Sequence, residues 1–208
     1  MTGKATDADA GRDAANPLRG LREAKNASGS EHGLPPVHLW NPPFCGDIGM
    51  RIAADGTWYY MNSPIGRKPL VRLFSTVLRR DEDAKYYLVT PVEKCGVEVE
   101  DAPFLAVAMT IEGEGRDQRL RFRTNVEDEV ILDDEHPLRF ETEDGTDGLK
   151  PYVLVRGRLE ALVNRAIFYD LVGAGTVERV DAEDWFGVWS SGRFWPMAPA
   201  AEIGLHRQ

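Results

Sequence analysis

Gly49-Met-Arg-Ile-Ala-Ala-Asp-Gly-Thr-Trp-Tyr-Tyr-Met-Asn-Ser-Pro-Ile-Gly-Arg-Lys-Pro-Leu-Val-Arg-Leu-Phe74 changes its period twice within 26 residues, and those two changes predict the fold. Ile48 to Ala53 alternates as a half-buried strand does, Asp55-Gly56 supplies a tight hairpin turn, and Trp58-Tyr59-Tyr60 returns as a second strand. Asn62-Ser63-Pro64 ends the ladder, because proline has no N–H to contribute. Leu70, Leu73, Phe74, Val77 and Leu78 then recur at helical spacing, which predicts one apolar stripe on an α-helix. Arg79-Arg80 falls in the last turn of that helix, where cations oppose the helix dipole favourably.

Working outward, Tyr86–Thr90 and Val92–Val99 read as two more strands around Pro91. Upstream, Leu34 to Phe44 carries four prolines that enforce extended backbone, so it reads as a strap over the first domain. Residues 1–33 hold, apart from Met1, only Leu18 and Leu21 as large apolar side chains, too little to offset the entropy of ordering, and are expected to form a flexible tail. Downstream, Leu105–Glu112, Leu120–Arg123, Glu129–Leu132 and Leu138–Thr142 alternate between acidic or glycine-bearing turns, as an antiparallel meander does. Tyr152–Val155 adds a strand, and Leu159, Leu162, Val163, Ala166 and Ile167 predict a second amphipathic helix. Asp184 to Trp195 is a packed aromatic segment, with a tail over 196–208.

Setting Asp55 over Asp147 without gaps aligns the two Asp-Gly pairs, Tyr60 with Tyr152, and Leu70-Val71 with Leu162-Val163. The expectation is therefore an α+β chain of two tandem related subdomains, 34–100 and 101–195, each a small, mostly antiparallel sheet with one main amphipathic helix.

Composition narrows the function. The chain has 208 residues, 42% of them apolar, enough for one or two real cores. Its net charge of −9 argues against duplex nucleic acid, whose binding requires clustered Lys and Arg, but permits a local basic cleft suited to a small anion. No apolar run is long enough to span a bilayer, and the first ten residues lack a signal-peptide apolar region. Cys45 and Cys95 are not spaced as a metal or disulfide framework and read as two separate buried thiols, so a cytoplasmic location is expected.

Assembled chemistry is hard to find. No Gly-x-Ser-x-Gly elbow occurs, and His32, His38, His136 and His206 all fall in tails, the strap or an acidic loop. The acidic runs Glu127–Glu129, Asp133–Glu135 and Glu141–Asp144 lack the spacing of a calcium loop and read as solvated turns. Gly113-Glu-Gly115 places a carboxylate where a phosphate would sit, and Gly173-Ala-Gly175 follows a helix and reads as its C-cap. Neither a metal nor a cofactor is expected.

What remains is a cationic and aromatic set around the first helix: Arg67, Lys68 and Arg72 at its start, Lys94 after the strand, and Trp58 with Tyr60 on the hairpin. Cations in a first turn oppose the helix dipole unfavourably, so Arg67 and Lys68 make better sense as ligands for an anion. Arg156, Arg158 and Arg165 form a counterpart around the second helix.

The stretch from Gly49 to Phe74, with Tyr86 to Lys94 and Ser191-Gly192, resembles the bacterial domain of unknown function family 1285, from about Trp40 onward. The resemblance implies a duplicated core, a C-terminal half superficially similar to pleckstrin-homology-like folds, and an interface between the halves that takes a nucleotide-like ligand. It implies no reaction. The expected function is binding of a small anionic, nucleotide-like ligand in sensing or signalling. Two other readings stay open at this point: a hydrolase or transferase using Glu93 or an acidic-run carboxylate as base, and a protein-interaction module.

Overall fold

Alternation organises the first unit as predicted. In the computed structural model, which describes residues 33–142 and 148–204, strand β1 (Phe44–Ile52) turns back through Asp55-Gly56 into β2 (Trp58–Tyr60) and β3 (Ser63–Pro64). Met50 pairs with Tyr60 and Ile52 with Trp58, while Ala53 N–H donates to Thr57 O at 2.9 Å to close the turn. Helix α1 (Lys68–Thr76) follows, then the meander β4 (Leu78–Arg80), β5 (Tyr86–Val89) and β6 (Lys94–Val99). The strand order is β3-β2-β1-β6-β5-β4, with β1 and β6 parallel at the centre.

Met50, Ile52, Trp58 and Phe74 are buried, and the Trp58 and Phe74 rings stack with centroids 6.4 Å apart and planes 10° from parallel. Each such side chain removed from water contributes roughly 1.5–3 kcal/mol, so this contact seats α1. The Trp58 indole N–H finds no acceptor among the described residues.

The helix is shorter than its apolar stripe predicts. It ends at Thr76, where the Ser75 and Thr76 hydroxyls donate to the carbonyls of Arg72 and Leu73 and compete with the backbone ladder. Leu78-Arg79-Arg80 is a strand, so the two arginines do not oppose the helix dipole. Arg79 instead donates to the carbonyls of Val37 and Trp40 at 2.7 Å, holding the proline strap with its short turn at Val37–Leu39.

The second unit runs from Asp101 and also includes Ala54–Gly56. Its strands are β7 (Phe104–Glu112), β8 (Arg119–Thr124), β9 (Glu129–Ile131), β10 (Leu138–Thr142), β11 (Leu149–Arg156) and β12 (Leu159–Val163), in the order β10-β11-β12-β7-β8-β9. Helix α2 (Arg165–Gly173) and a three-stranded sheet, β13 (Thr176–Val180), β14 (Glu183–Ser190) and β15 (Arg193–Pro199), complete it. Phe104, Phe122, Leu120, Leu132 and Leu171 are fully buried.

Two expectations need correction here. The stripe Leu159 to Ile167 is not one helix: Leu159, Ala161 and Val163 are the buried residues of strand β12, and α2 begins only after Asn164. The tail expected over 196–208 starts too early, because the packed aromatic segment is a β-hairpin whose second strand runs to Pro199 with Met197 buried; its turn, Ser191-Gly192, has φ of 53° and 75°. The C-cap expected at Gly173-Ala-Gly175 is present, since the Ala174 and Gly175 amides both bond back to carbonyls of the last turn.

The two six-stranded sheets share one order. Counting strands from the start of each unit, both read 3-2-1-6-5-4 with the first and last strands parallel. The repeat therefore matches β1 to β7 and β2 to β8, whereas the Asp55-over-Asp147 offset lays β2 over β11, a strand at a different place in the order. Asp147 itself lies outside the described residues, as do residues 1–32 of the tail expected over 1–33 and residues 205–208. The helix does not repeat: α1 lies between the third and fourth strands of its unit, but α2 follows the sixth. With two α-helices among the described residues, the protein is mostly sheet rather than an even α+β mixture.

Candidate functional site

The start of α1 is built with little internal support. Arg67 is the N-cap, with extended backbone and no side-chain bond to the helix, and the first turn carries no acidic residue. Pro69 has no N–H, while Leu70 and Val71 both donate to Arg67 O at 2.9 and 3.2 Å. Among the first four helix residues only the Lys68 amide is left without a backbone acceptor, fewer free donors than the sequence suggests. The side chains of Arg67, Lys68 and Arg72 are exposed and make no ion pair or hydrogen bond among the described residues. Lys68 and Arg72 are four apart on one helix face, where like charges repel by about 0.2–0.5 kcal/mol.

Other expected members of the site are engaged elsewhere. Trp58 is 1% exposed and belongs to the core, so it cannot stack on a ligand. Tyr60 is half-buried on β2. Lys94 lies 3.2 Å from Asp81 and 4.5 Å from the centre of the Tyr87 ring. Burial alone would raise the Asp81 carboxyl, but hydrogen bonds and charge from Arg79 and Lys94 outweigh it and hold that group below its ordinary range. The Tyr87 hydroxyl donates to Asp83 at 2.7 Å, which pushes its pKa up to about 12.

In the second unit, Arg156 pairs with Asp128 and lies 4.9 Å above the Phe104 ring. Arg158 sits exposed in the β11–β12 turn. Arg165 opens α2 and donates through Nε to the Tyr169 hydroxyl at 3.3 Å. Hence the structure brings Arg67, Lys68 and Arg72 together on one helix start, while Lys94 and Arg156 serve internal pairs.

The remaining candidates have structural roles. Ser190 is buried, accepting from Leu120 N–H and donating to Leu132 O at 2.7 Å, and Ser191 also donates to Leu132 O. The open pocket beside this turn, about 560 Å³, is lined by Asp117, Arg119, Ile131, Asp133, Ser191 and Gly192, a net acidic set unsuited to an anion. His136 bonds to Asp133 within its own loop, and His38 is exposed in the strap. His32 and His206 lie outside the described residues, as do Glu143 and Asp144. Within the acidic runs, Glu127, Glu129 and Glu141 pair with Arg123, Arg121 and Arg139.

Cys45 and Cys95 are not separate thiols. Fifty residues apart, they form a disulfide with Cα atoms 5.5 Å apart. The parallel β1–β6 pairing, with Phe44 opposite Lys94, creates the contact, and no local spacing could have announced it. This removes the free-thiol ground for expecting a reducing compartment. No described helix is long and apolar enough to cross a membrane.

Comparison with known proteins gives one consistent answer. Residues 35–102 match the model of the N-terminal domain of DUF1285, a domain of unknown function, and residues 103–197 match that of the C-terminal domain. A crystal structure of a DUF1285 family protein from Silicibacter pomeroyi is 47% identical, with a TM-score of 0.79, covering 91% of this chain and 98% of its own. Another, from Shewanella baltica, is 26% identical with a TM-score of 0.47, covering 60% of this chain and 91% of its own. No curated protein matches.

Proposed function

The chain belongs to the DUF1285 family, and from that premise we propose that it binds a small anionic, nucleotide-like ligand at the start of α1, in a sensing role without turnover. One observation carries this reading: Arg67, Lys68 and Arg72 are exposed, mutually repelling and without partners among the described residues, whereas Arg51, Arg79, Lys94, Arg139 and Arg156 all have carboxylate partners. Unpaired cations beside a positive helix end lower the stability of the free protein slightly, and an anion would relieve that. Phosphate groups suit such a set because guanidinium groups can meet them with paired hydrogen bonds. Tyr60, half-buried on the neighbouring hairpin, is the aromatic left for a base once Trp58 is assigned to the core.

A thermal-shift screen of nucleotides and inorganic phosphate tests the reading. A ligand at ~100 times its Kd adds ~2.7 kcal/mol of stability. The shift is expected to vanish in the Arg67→Ala/Lys68→Ala double variant, and the ligand to be recovered chemically unchanged. A shift that survives the double variant, or a product formed from the ligand, overturns the proposal.

A further inference from the structure

The sulfur pair of the first unit has a third neighbour. Glu93 directly precedes β6, and one of its carboxylate oxygens lies with the Cys45 and Cys95 sulfurs so that all three atoms are within 4.8 Å of one another. The backbone holds this arrangement from both sides. The Thr90 hydroxyl accepts from the Glu93 amide at 3.2 Å and the Thr90 amide donates to Glu93 O at 2.9 Å, which fixes the turn carrying the carboxylate. Lys94 N–H donates to Pro43 O at 3.1 Å, tying the first residue of β6 to the approach to β1. Cys95 is 4% exposed, Glu93 is half-buried and Cys45 is exposed, so the cluster has one anchored side and one open to solvent.

We infer that this cluster, once its disulfide is reduced, is a binding site for one thiophilic divalent cation of the zinc class, with Cys45, Cys95 and Glu93 as protein ligands. Reduction by a dithiol or phosphine delivers two electrons and two protons to the disulfide and leaves two thiols, while the reductant is oxidised. Metal binding then displaces both thiol protons to solvent, because the thiolate is the ligand. Two soft sulfurs and one carboxylate oxygen suit zinc or cobalt(II), whereas calcium and magnesium require a shell of about six oxygens. Zinc–sulfur distances near 2.3 Å and zinc–oxygen distances near 2.0–2.2 Å place tetrahedral donors roughly 3.5–3.8 Å apart. With the Cα atoms of Cys45 and Cys95 5.5 Å apart, only side-chain rotation is needed to bring the freed sulfurs and the carboxylate to that spacing in the inferred site. The fourth position faces solvent on the Cys45 side and is open to water. Oxidation to the disulfide consumes both sulfur ligands, so the site exists only in the reduced protein.

The test uses the full chain, reduced with a phosphine, desalted without oxygen and titrated with cobalt(II) and then zinc. One equivalent of cobalt should bind with thiolate-to-metal charge-transfer absorption and be displaced by one equivalent of zinc. The oxidised chain should show neither. Cys45→Ser, at an exposed position that leaves the core intact, should abolish the absorption. Glu93→Gln should weaken zinc binding at least ~10-fold, the lower range for losing even an outer-shell partner. Thermal unfolding of each metal-free variant checks that it folds. The inference is overturned if the reduced chain takes up no more metal than Cys45→Ser, if the oxidised chain binds equally well, or if Glu93→Gln leaves the affinity unchanged.

Discussion

The two α-helices among the described residues are both nine residues long and both carry a cation in the first turn, yet they begin in opposite ways. At α2, Asn164 Oδ1 accepts from the Ile167 amide at 3.0 Å, and Arg165 turns onto the Tyr169 hydroxyl. At α1, Arg67 occupies the cap position without capping, Pro69 follows, and three cations stand without an internal partner among the described residues. A cation at a helix start is weak evidence when considered alone. Seen against α2, where the same chain solves the same problem internally, the start of α1 is the one whose charge has no partner among the described residues.

The largest expected effect tests whether α1 is held rigidly enough for its start to be a site. Phe74→Ala removes the ring stacked on Trp58 and leaves a cavity under the helix. It should cost about 3–5 kcal/mol in denaturant unfolding, the usual range for truncating a buried aromatic. A loss below about 1 kcal/mol would mean that α1 is seated by other contacts and that the comparison of two fixed helix starts fails.

A smaller effect addresses the caps themselves. Asn164→Ala should cost about 1 kcal/mol, because the Ile167 amide loses its acceptor. Arg67→Ala should show no such loss, since the Arg67 side chain caps nothing. Equal losses at the two positions, measured by the same unfolding curves, would erase the contrast.

A side chain's role is legible in the sequence where its neighbours along the chain determine its environment, and is not where distant pairing does. Strand β1 is legible because alternate residues are buried, at Ile48, Met50 and Ile52, and the start of β7 repeats the pattern at Phe104 and Ala106. Helix spacing misleads twice for one reason: a short apolar run fits a helical stripe in part even where its residues belong to a strand, since i and i+4 share a face in both. Val77-Leu78 extended the apparent stripe of α1 into β4, and Leu159 to Val163 imitated the first turn of α2. Asn164, a preferred capping residue, was the local signal that could have divided strand from helix. Trp58, expected at the ligand, lies opposite Ile52 across the hairpin and is part of the core, a pairing that only the register reveals. The Cys45–Glu93–Cys95 cluster depends on the parallel β1–β6 register and had no local signature. The exposed Arg67 and Lys68 were legible because helix electrostatics is a local property.

That local property yields the smallest effect and the most discriminating one. Lys68→Glu replaces a repelled charge at N1 with one the dipole favours and relieves its repulsion with Arg72 four residues on. The free protein should gain about 0.3–1 kcal/mol in low-salt unfolding, and the gain should shrink as salt screens it. The same substitution should weaken anion binding. A variant more stable alone but poorer with ligand is the signature of a residue placed for function at the expense of the helix. If Lys68→Glu instead destabilises the free protein, Lys68 has an internal partner, the two helix starts are alike, and α1 loses its claim to be the site.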